Sequence, residues 1–338
     1  MDWFQAITGF AEQGYAKTRS LLSIHDGYLV SEKSNRKCAV GKLTLTSLNT
    51  LRTSVPHPCD RGMLTVTNAS ADVRELHSVP ENNGAVFQVA SQFNMLEMMD
   101  PDITPEDGVT RYQFDKTQGP ACAIAGGAAT IFRNYFAQVG EKSGQTATNQ
   151  LNGLGELAAT LGDHMGKNGD EILPVRNGYT LPSYGSLVDV NRALENLNAQ
   201  SLRNLEGALE VGVHVDVEVT DQTSSNPNSV TQVFCSAMPV GYSNVNASLW
   251  EPLARLILNS AYEATLWTGL RNKLEGRSQR VFLTRLGGGA FGNRDSWIDD
   301  AMKAALAKFR GSGLEVIIVS YGEPPQSMLA LSREFGGN

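Results

Sequence analysis

VFLTRLGGGAFGN (281–293) is followed by WIDDAMKAALAKF (297–309) and LEVIIVSY (314–321), and this order of segments decides the fold. The apolar periodicity predicts a strand over 280–286, a glycine loop, a helix and a second strand. Gly287, Gly288 and Gly289 lack a Cβ and reach positive φ, so their N–H groups can approach an anion closely. The following helix would add the positive end of its dipole. The segment therefore predicts a binding site for a phosphate-bearing small molecule.

Composition indicates a globular protein and argues against two classes of partner. The 338 residues are 41% hydrophobic and 19% charged, with a net charge of −7 and no cluster of Lys and Arg longer than a pair. An acidic chain without a basic cluster is poorly suited to nucleic acid. Neither an apolar run of about 18 residues nor a basic N-terminal signal is found, so we expect no membrane span and no secretion. We expect a cytoplasmic monomer.

The cysteines and histidines give no sign of a metal or cofactor site. The five histidines form neither an HxH nor an HxxxH pattern, and the cysteines form no CxxC pair. We therefore predict no metal, no cofactor and free thiols at Cys38, Cys59, Cys122 and Cys235. The absence of GxSxG and GxxxxGK[ST] motifs argues against an α/β-hydrolase and a P-loop ATPase.

The period of the apolar residues alternates between about 3.6 and 2, which is typical of an α/β fold. We predict further strands near 27–30, 42–48, 62–67, 85–91, 211–220 and 230–238, and helices within 2–23 and over 121–139, 146–161, 187–206 and 248–275. A polar turn at 222–229 should join two antiparallel strands, whereas strands linked by helices should run parallel, which gives a mixed sheet. No linker or repeat is visible, so one domain is expected.

Two loops complete this prediction. Residues 97–118 contain two prolines and six acidic residues and should form an exposed loop. Residues 166–186 should form a hairpin or loop. Ligands of such sheets bind beyond the carboxyl ends of the strands, where the 85–91 and 280–286 strands deliver their loops.

Several motifs carry a family resemblance. VTQVFCSAMPVGYS (230–243), WEPLARLILNSAYEATLWTGL (250–270) and VFLTRLGGGAFGN resemble the second half of a macrodomain. The loop GGGAFGN (287–293) is similar to that of poly(ADP-ribose) glycohydrolases, which are elaborated macrodomains. FNMLE (93–97), the acidic loop and TQGPACA resemble the MavL-like group of ADP-ribosyl hydrolases.

The resemblance covers roughly residues 60–322 and implies both a fold and a domain plan. FQVASQFN (87–94) and QGPACAIAGGAA (118–129) fall where macrodomains place a ribose-contacting strand end and a first glycine loop, although the usual GGGG is absent. The implied fold is a macrodomain-like three-layer α/β/α sandwich with a mixed central sheet. It would occupy residues 61–338, with an N-terminal extension over 1–60 packed on the core.

The resemblance also implies ADP-ribose, free or attached to a protein, as the ligand. The implied contacts are Gly287, Gly288, Gly289, Ala290, Phe291, Gly292 and Asn293 around the diphosphate and distal ribose, Gln118, Gly119, Ala121 and Cys122 in the opposing loop, Gln92 and Asn94 at the ribose hydroxyls, and Asp72 (alternatively Asn68) and Tyr321 at the adenine. The plainer alternatives are a tight glycine turn, core roles for Phe291 and Tyr321, and an Asx turn at Asn94.

Catalysis would need carboxylates beside the distal ribose. Cleavage of a glycosidic bond passes through an oxocarbenium-like transition state that a carboxylate can stabilise, and carboxyl groups can also activate water or protonate the leaving group. Residues 119–136 contain no acid, so the paired glutamates of poly(ADP-ribose) glycohydrolases are absent and the acid must come from the 97–118 loop. Asp107 and Asp115 are the first candidates, followed by Glu106 and Glu97. The alternative is that all six acids of this loop are simply solvated.

The sequence thus predicts an ADP-ribosyl hydrolase that removes ADP-ribose from modified protein side chains. One alternative is a reader that binds ADP-ribose without catalysis, which would not need acids at this position. Another is an enzyme or sensor for a free ADP-ribose-type nucleotide.

Overall fold

The structure, a computed structural model, describes residues 1–56, 61–221 and 226–336. His57, Cys59 and residues 222–225 of the predicted turn therefore lie outside the described residues. The described cysteines Cys38, Cys122 and Cys235 are buried free thiols.

The described residues contain the following strands and helices. The strands are β1 (Leu22–His25), β2 (Tyr28–Ser31), β3 (Ser34–Ala39), β4 (Lys42–Ser47), β5 (Thr65–Ser70), β6 (Val86–Ala90), β7 (Gln138–Val139), β8 (Lys142–Ser143), β9 (Val175–Arg176), β10 (Tyr179–Thr180), β11 (Glu210–Glu218), β12 (Ser229–Cys235), β13 (Arg280–Leu283) and β14 (Glu315–Ser320). The α-helices are α1 (Trp3–Thr8), α2 (Tyr15–Ser20), α3 (Leu48–Ser54), α4 (Val73–Ser78), α5 (Gln118–Ala125), α6 (Gly127–Tyr135), α7 (Gly155–Met165), α8 (Gly169–Ile172), α9 (Tyr184–Glu195), α10 (Ala199–Gly207), α11 (Ala247–Leu274), α12 (Asp295–Lys308) and α13 (Gln326–Phe335). Short 3₁₀ helices occupy Pro80–Asn82, Pro105–Asp107, Thr110–Phe114 and Val240–Tyr242.

A seven-stranded mixed sheet forms the centre of the fold, in the order β4-β11-β12-β6-β13-β14-β5. β11 pairs antiparallel with both β12 and β4. The remaining neighbours run parallel, because helices carry the chain back between them. The predicted mixed sheet is therefore confirmed, including the antiparallel pairing of β11 with β12.

Helices cover both faces of this sheet. On one face, Val86 and Val281 pack in a large cluster with α11, which contributes residues such as Leu266. On the other face, Phe87 and Phe282 stack with their ring centroids 4.4 Å apart and lie in a second cluster together with α5 and α6. Strand β6 is buried on both sides, as its near-continuous apolar run predicts. The three-layer α/β/α arrangement is confirmed.

The helix predicted over 121–139 is two helices. Gly126 leaves the helical conformation, with φ −99° and ψ 50°, and the Gly127 N–H donates to Thr220 Oγ1 at 2.8 Å. A Cβ at Gly126 would lie 2.6 Å from Val217 Cγ1. The two glycines therefore mark a break, and the chain passes close to β11 at this point.

The N-terminal residues also form short elements instead of one long helix. Gly9, at φ 80°, caps α1 in the left-handed conformation and ends it. Strands β1 to β3 form a separate antiparallel sheet, whereas β4 is an edge strand of the central sheet and pairs with β11.

The loop over 97–118 is not uniformly exposed, contrary to the prediction. Val109 and Tyr112 are fully buried in a cluster with Phe10 and other N-terminal residues. The Glu12 carboxylate accepts hydrogen bonds from Val109 N at 2.9 Å and from Thr110 N at 2.7 Å. The N-terminal segment therefore covers this loop, which sequence periodicity could not indicate.

Two predicted helices also have different bounds. Helix α7 begins only at Gly155, because Gly153 donates to Phe93 O at 2.8 Å and accepts from Glu210 N at 3.0 Å, which ties the preceding turn to two other segments. The helix predicted over 187–206 is interrupted, and the Asn198 side chain caps the start of α10. The predicted hairpin within 166–186 is confirmed by β9 and β10.

Gly269→Ala tests the close packing of α11 on the sheet. A Cβ at Gly269 would lie 2.5 Å from Cγ2 of the buried Val281, a side chain that is stiff at χ1. Overpacking of this kind lowers the free energy of unfolding by about 1–3 kcal/mol. The higher helix propensity of Ala relative to Gly returns only roughly 1 kcal/mol. We expect a lower free energy of unfolding, measured by urea denaturation.

Gly185→Ala in α9 is the matched control, since the only neighbour within 4 Å of its added Cβ is Ser183 Oγ at 3.8 Å. This variant should be as stable as the wild type or more so. Equal stabilisation by both substitutions would contradict the packing argument.

Candidate functional site

A cleft of two adjacent chambers lies at the carboxyl ends of the parallel strands. The residues that follow the strands line it: Ser91 after β6, Ala237 after β12, Thr284 to Leu286 after β13 and Tyr321 after β14. The glycine-loop chamber measures about 320 Å³ and the Asp72 chamber about 330 Å³. Both are lined by residues of the 115–118 segment, which links them. The cleft lies where the strand order predicts it.

The glycine loop presents backbone donors to its chamber. Gly287, Gly289, Ala290 and Phe291 line the chamber, and their N–H groups donate to no acceptor within the described residues. Gly287 has φ 75°, and a Cβ there would lie 2.5 Å from Ala237 Cβ. Glycine is thus required for the turn, and the loop leaves N–H groups available to an anion.

Asn293 supports this loop from behind. Its buried side chain donates to Met238 O at 2.8 Å, and its N–H donates to Gly287 O at 3.0 Å. Gly241 N donates to Phe291 O at 2.9 Å. Gly288, Gly292 and Asn293 do not line the cleft.

The N-terminus of α5 borders the glycine-loop chamber. Gln118, Gly119 and Pro120 line the glycine-loop chamber. Helix α12, which the sequence placed at the anion, begins at Asp295, which does not line the cleft. The dipole of α5 is therefore available to a ligand in the glycine-loop chamber.

Gln118 holds α5 against β6. Its Oε1 accepts from Ala90 N at 2.8 Å, and its Nε2 donates to Gln88 O at 2.7 Å and to Cys122 Sγ at 3.2 Å. Cys122 is fully buried behind the cleft, whereas Ala121 lines the Asp72 chamber. A Cβ at Gly119 would lie 1.9 Å from Ala90 O, so only glycine permits this approach.

Glu97 is a buried carboxyl group that lines the glycine-loop chamber. It is 2% exposed, and neither carboxyl oxygen has a hydrogen-bond partner in the described structure. Its Oε2 lies 3.7 Å from Arg133 Nη2, and its N–H donates to Tyr112 Oη at 3.1 Å. Burial raises the pKa of Glu97 to about 8, although Arg133 favours the carboxylate. Glu97 is therefore protonated in most molecules at neutral pH.

Arg133 is anchored behind Glu97. Its Nε donates to Met95 O at 3.0 Å and its Nη2 to Thr130 Oγ1 at 2.9 Å. Its guanidinium carbon lies 3.9 Å from the centroid of the Phe234 ring. Burial lowers the pKa of Arg133 and the carboxylate of Glu97 opposes this, but a guanidinium stays charged in proteins. The pair therefore keeps a permanent cation next to the carboxyl group.

The other predicted acids lie in different surroundings. Asp115 lines both chambers, and its Oδ1 accepts from Thr117 N at 2.8 Å. Asp107 closes a capping box with Thr104, and Glu106 accepts from Ala147 N. Asp107 and Glu106 do not line the cleft.

Of the two predicted ribose contacts, Gln92 lines the cleft and Asn94 does not. Gln92 Oε1 accepts from Met98 N at 2.7 Å. Asn94 is fully buried, and its Oδ1 accepts from Leu96 N at 3.1 Å, which is the plainer Asx-type role. Gln150 accepts from Asn94 Nδ2.

The predicted adenine contacts surround the Asp72 chamber. Asp72 lines it and caps α4 by accepting from Arg74 N at 2.8 Å. Tyr321, 84% exposed, borders both chambers. The alternative Asn68 lines neither chamber and donates to Met328 O in α13.

Two tyrosines were missed by sequence reasoning. The rings of Tyr179, Tyr242 and Phe291 cluster at the glycine-loop chamber, with centroids 5.2 to 5.7 Å apart. Tyr179 Oη donates to Met98 O at 2.6 Å. No spacing in the sequence connects the β9–β10 hairpin, which carries Tyr179, with the other lining segments. Tyr242, in contrast, lies within the motif at 230–243.

The described part of the chain offers no metal site and no spanning helix. No three His, Cys, Asp or Glu side chains in it are grouped to hold a metal ion. None of its helices combines the length and apolarity needed to cross a membrane.

The fold and cleft define an α/β protein with a cleft of the size that binds small molecules. The chain matches no protein-family model, and no curated protein is significantly similar in sequence. Among solved structures it is similar to poly(ADP-ribose) glycohydrolase from Thermomonospora curvata, with 12% identity and a TM-score of 0.42, covering 87% of this chain and 85% of that one.

The enzyme from Deinococcus radiodurans in complex with ADP-ribose gives 12% identity and a TM-score of 0.42, covering 86% of this chain and 92% of that one. The T. curvata enzyme bound to the inhibitor ADP-HPD gives 12% and 0.40, covering 87% and 85%. These values are too low to support a functional inference, so we base the proposals on the geometry of the cleft.

Glu97→Gln tests the raised pKa through the pH dependence of stability. A carboxyl group whose pKa is higher in the folded state stabilises the fold below its unfolded pKa of about 4.5, and this contribution is lost as pH rises through about 8. The free energy of unfolding of the wild type should therefore decrease relative to that of the variant from pH 4.5 to 9. Urea denaturation across this range measures it.

Asp163→Asn, on the exposed surface of α7, controls for the change in net charge. A stability difference for Glu97→Gln that stays constant with pH would contradict the raised pKa.

Proposed function

We propose that the protein is an ADP-ribosyl hydrolase that removes ADP-ribose from modified protein side chains. The observation that carries the proposal is Glu97, a buried carboxyl group without a hydrogen-bond partner that lines the cleft beside the glycine loop. Burying such a group costs stability, and binding of a nucleotide does not require it. A perturbed carboxyl group in a cleft is typical of an acid–base catalyst.

The two chambers suit the two ends of ADP-ribose. The adenine would lie in the Asp72 chamber against Tyr321, and the distal ribose would lie near Gln92, Phe291 and Glu97. The diphosphate would then reach the unused N–H groups of the glycine loop and the N-terminus of α5. This placement puts the ribose C1″ in the chamber that contains Glu97.

Glu97 would act as the general acid and Asp115 as the general base. Glu97, protonated at neutral pH, donates its proton to the leaving atom of the side chain as the bond from that atom to C1″ breaks. Asp115 accepts a proton from the water whose oxygen forms the new bond to C1″. Arg133 contacts neither reactant and acts by holding Glu97 in place.

The acid role of Glu97 favours some linkages over others. A serine hydroxyl is a poor leaving group until it is protonated, whereas a carboxylate leaves without help. We therefore expect faster release from serine than from glutamate or aspartate.

Purified wild type and Glu97→Gln should be incubated with mono-ADP-ribosylated proteins of defined linkage, with ADP-ribose release followed over time. Loss of a general acid typically lowers the rate about 10²–10⁴-fold. Calorimetry should show that ADP-ribose binding is retained. Asp115→Asn should also lower the rate, whereas Asp107→Asn, outside the cleft, is the matched control and should leave it unchanged.

The pH profile gives a second readout of the same role. Because Glu97 acts in its protonated form, kcat of the wild type should fall as pH rises through about 8. Binding without release from any linkage would make the protein a reader. Absence of both binding and release would overturn the ADP-ribose assignment.

A further inference from the structure

The junction between the chambers constrains the ligand. Both chambers are lined by Asp115, Lys116, Thr117, Gln118, Thr284 and Tyr321. Each chamber is large enough for one ring system, and these six residues form the junction at which the chambers adjoin. A ligand that fills both chambers therefore has two bulky ends, and its bridge lies at this junction.

Three cationic side chains line the two chambers, and two of them are already paired. Arg285 Nη2 lies 2.5 Å from Asp295 Oδ1, and its Nη1 lies 3.3 Å from Asp299 Oδ1. Arg74 forms two hydrogen bonds with Asp221, at 2.5 and 2.9 Å. The positive charges of both arginines are therefore neutralised by protein carboxylates.

Lys116 is the third of these cations. It is exposed at the junction and makes no ion pair with any described residue. Its four-carbon stem allows the ammonium group to move toward either chamber. Among the described lining residues, Lys116 is thus the cation still available to a ligand.

The surrounding acids make this cation important. Asp72 and Asp115 line the same cleft. An anionic bridge would be repelled by ionised carboxylates at this position unless a positive charge offsets them. The N–H groups of the glycine loop supply only partial charges, whereas Lys116 supplies a full one.

We infer that Lys116 selects ligands whose two halves are joined by a diphosphate, by placing its ammonium group on the bridge. This inference rests on the proposed function and adds a residue that determines ligand specificity. The favoured class is a nucleoside diphosphate that carries a second sugar. Nucleosides, which lack the bridge, gain nothing from Lys116.

Lys116→Gln and Lys116→Arg test the inference by calorimetry with ADP-ribose and adenosine, at low and high salt. Loss of a charge-assisted contact should weaken ADP-ribose binding about tenfold in Lys116→Gln. The affinity for ADP-ribose should also become less sensitive to salt, because a screened charge pair is gone. Adenosine binding should be unchanged, and Lys116→Arg should retain most of the affinity.

Lys142→Gln removes an exposed lysine that lines neither chamber, and it is the matched control. Far-UV circular dichroism and thermal melting confirm that each variant is folded. Unchanged ADP-ribose affinity in Lys116→Gln, with wild-type binding intact, would overturn this inference and leave the proposed function standing. Equal weakening of ADP-ribose and adenosine would also overturn it. A wild type that does not bind ADP-ribose would refute the proposed function itself.

Discussion

The side chain of Gln118 bonds to the main chain of β6 in the way that a neighbouring strand would, and the geometry of the cleft depends on this contact. It satisfies the N–H of Ala90 and the C=O of Gln88 where β6 has no full-length neighbour on that side. The approach is so close that Gly119 cannot carry a side chain, since Ala90 O occupies the position of its Cβ. The start of α5 is therefore held rigidly at the end of the sheet. The glycine loop after β13 borders the same chamber, so this loop and the start of α5 are held by one sheet.

The Glu97–Arg133 pair shows a different balance of forces. Burying two charged groups costs more than their attraction returns unless further contacts satisfy them. Arg133 obtains such contacts from Met95, Thr130 and the ring of Phe234. Glu97 obtains none for its oxygens. Burial without such contacts raises the pKa of Glu97 and favours its protonated form, which is the property that the proposed acid role requires.

The sequence predicted the strands and helices better than it predicted which acidic residues line the cleft. Alternating periodicity found the central strands and α11, and the glycine run at 287–289 found the loop that lines the cleft. The same reasoning ranked Asp107 above Glu97, because it treated residues 97–118 as one exposed loop. Asp107 in fact caps a 3₁₀ helix, whereas Glu97 is buried. The two residues differ because distant segments bury part of this loop and leave the rest exposed. One such segment is the N-terminal one, where Glu12 accepts a hydrogen bond from Val109 N.

Local physical chemistry, which can be read from the sequence, determined the mixed α/β class, the glycine loop and the acidic character of the neighbouring segment. The spacing of apolar residues determines whether a segment forms a strand or a helix, and this effect acts over a few residues. Tertiary structure alone decided which carboxyl groups border the cleft, which helix N-terminus lies there, and which lysine is available at the junction. Burial and ion pairing depend on residues far apart in the chain, such as Glu97 with Arg133 and Arg74 with Asp221. The pKa of a carboxyl group and the availability of a cation are therefore properties of the folded chain.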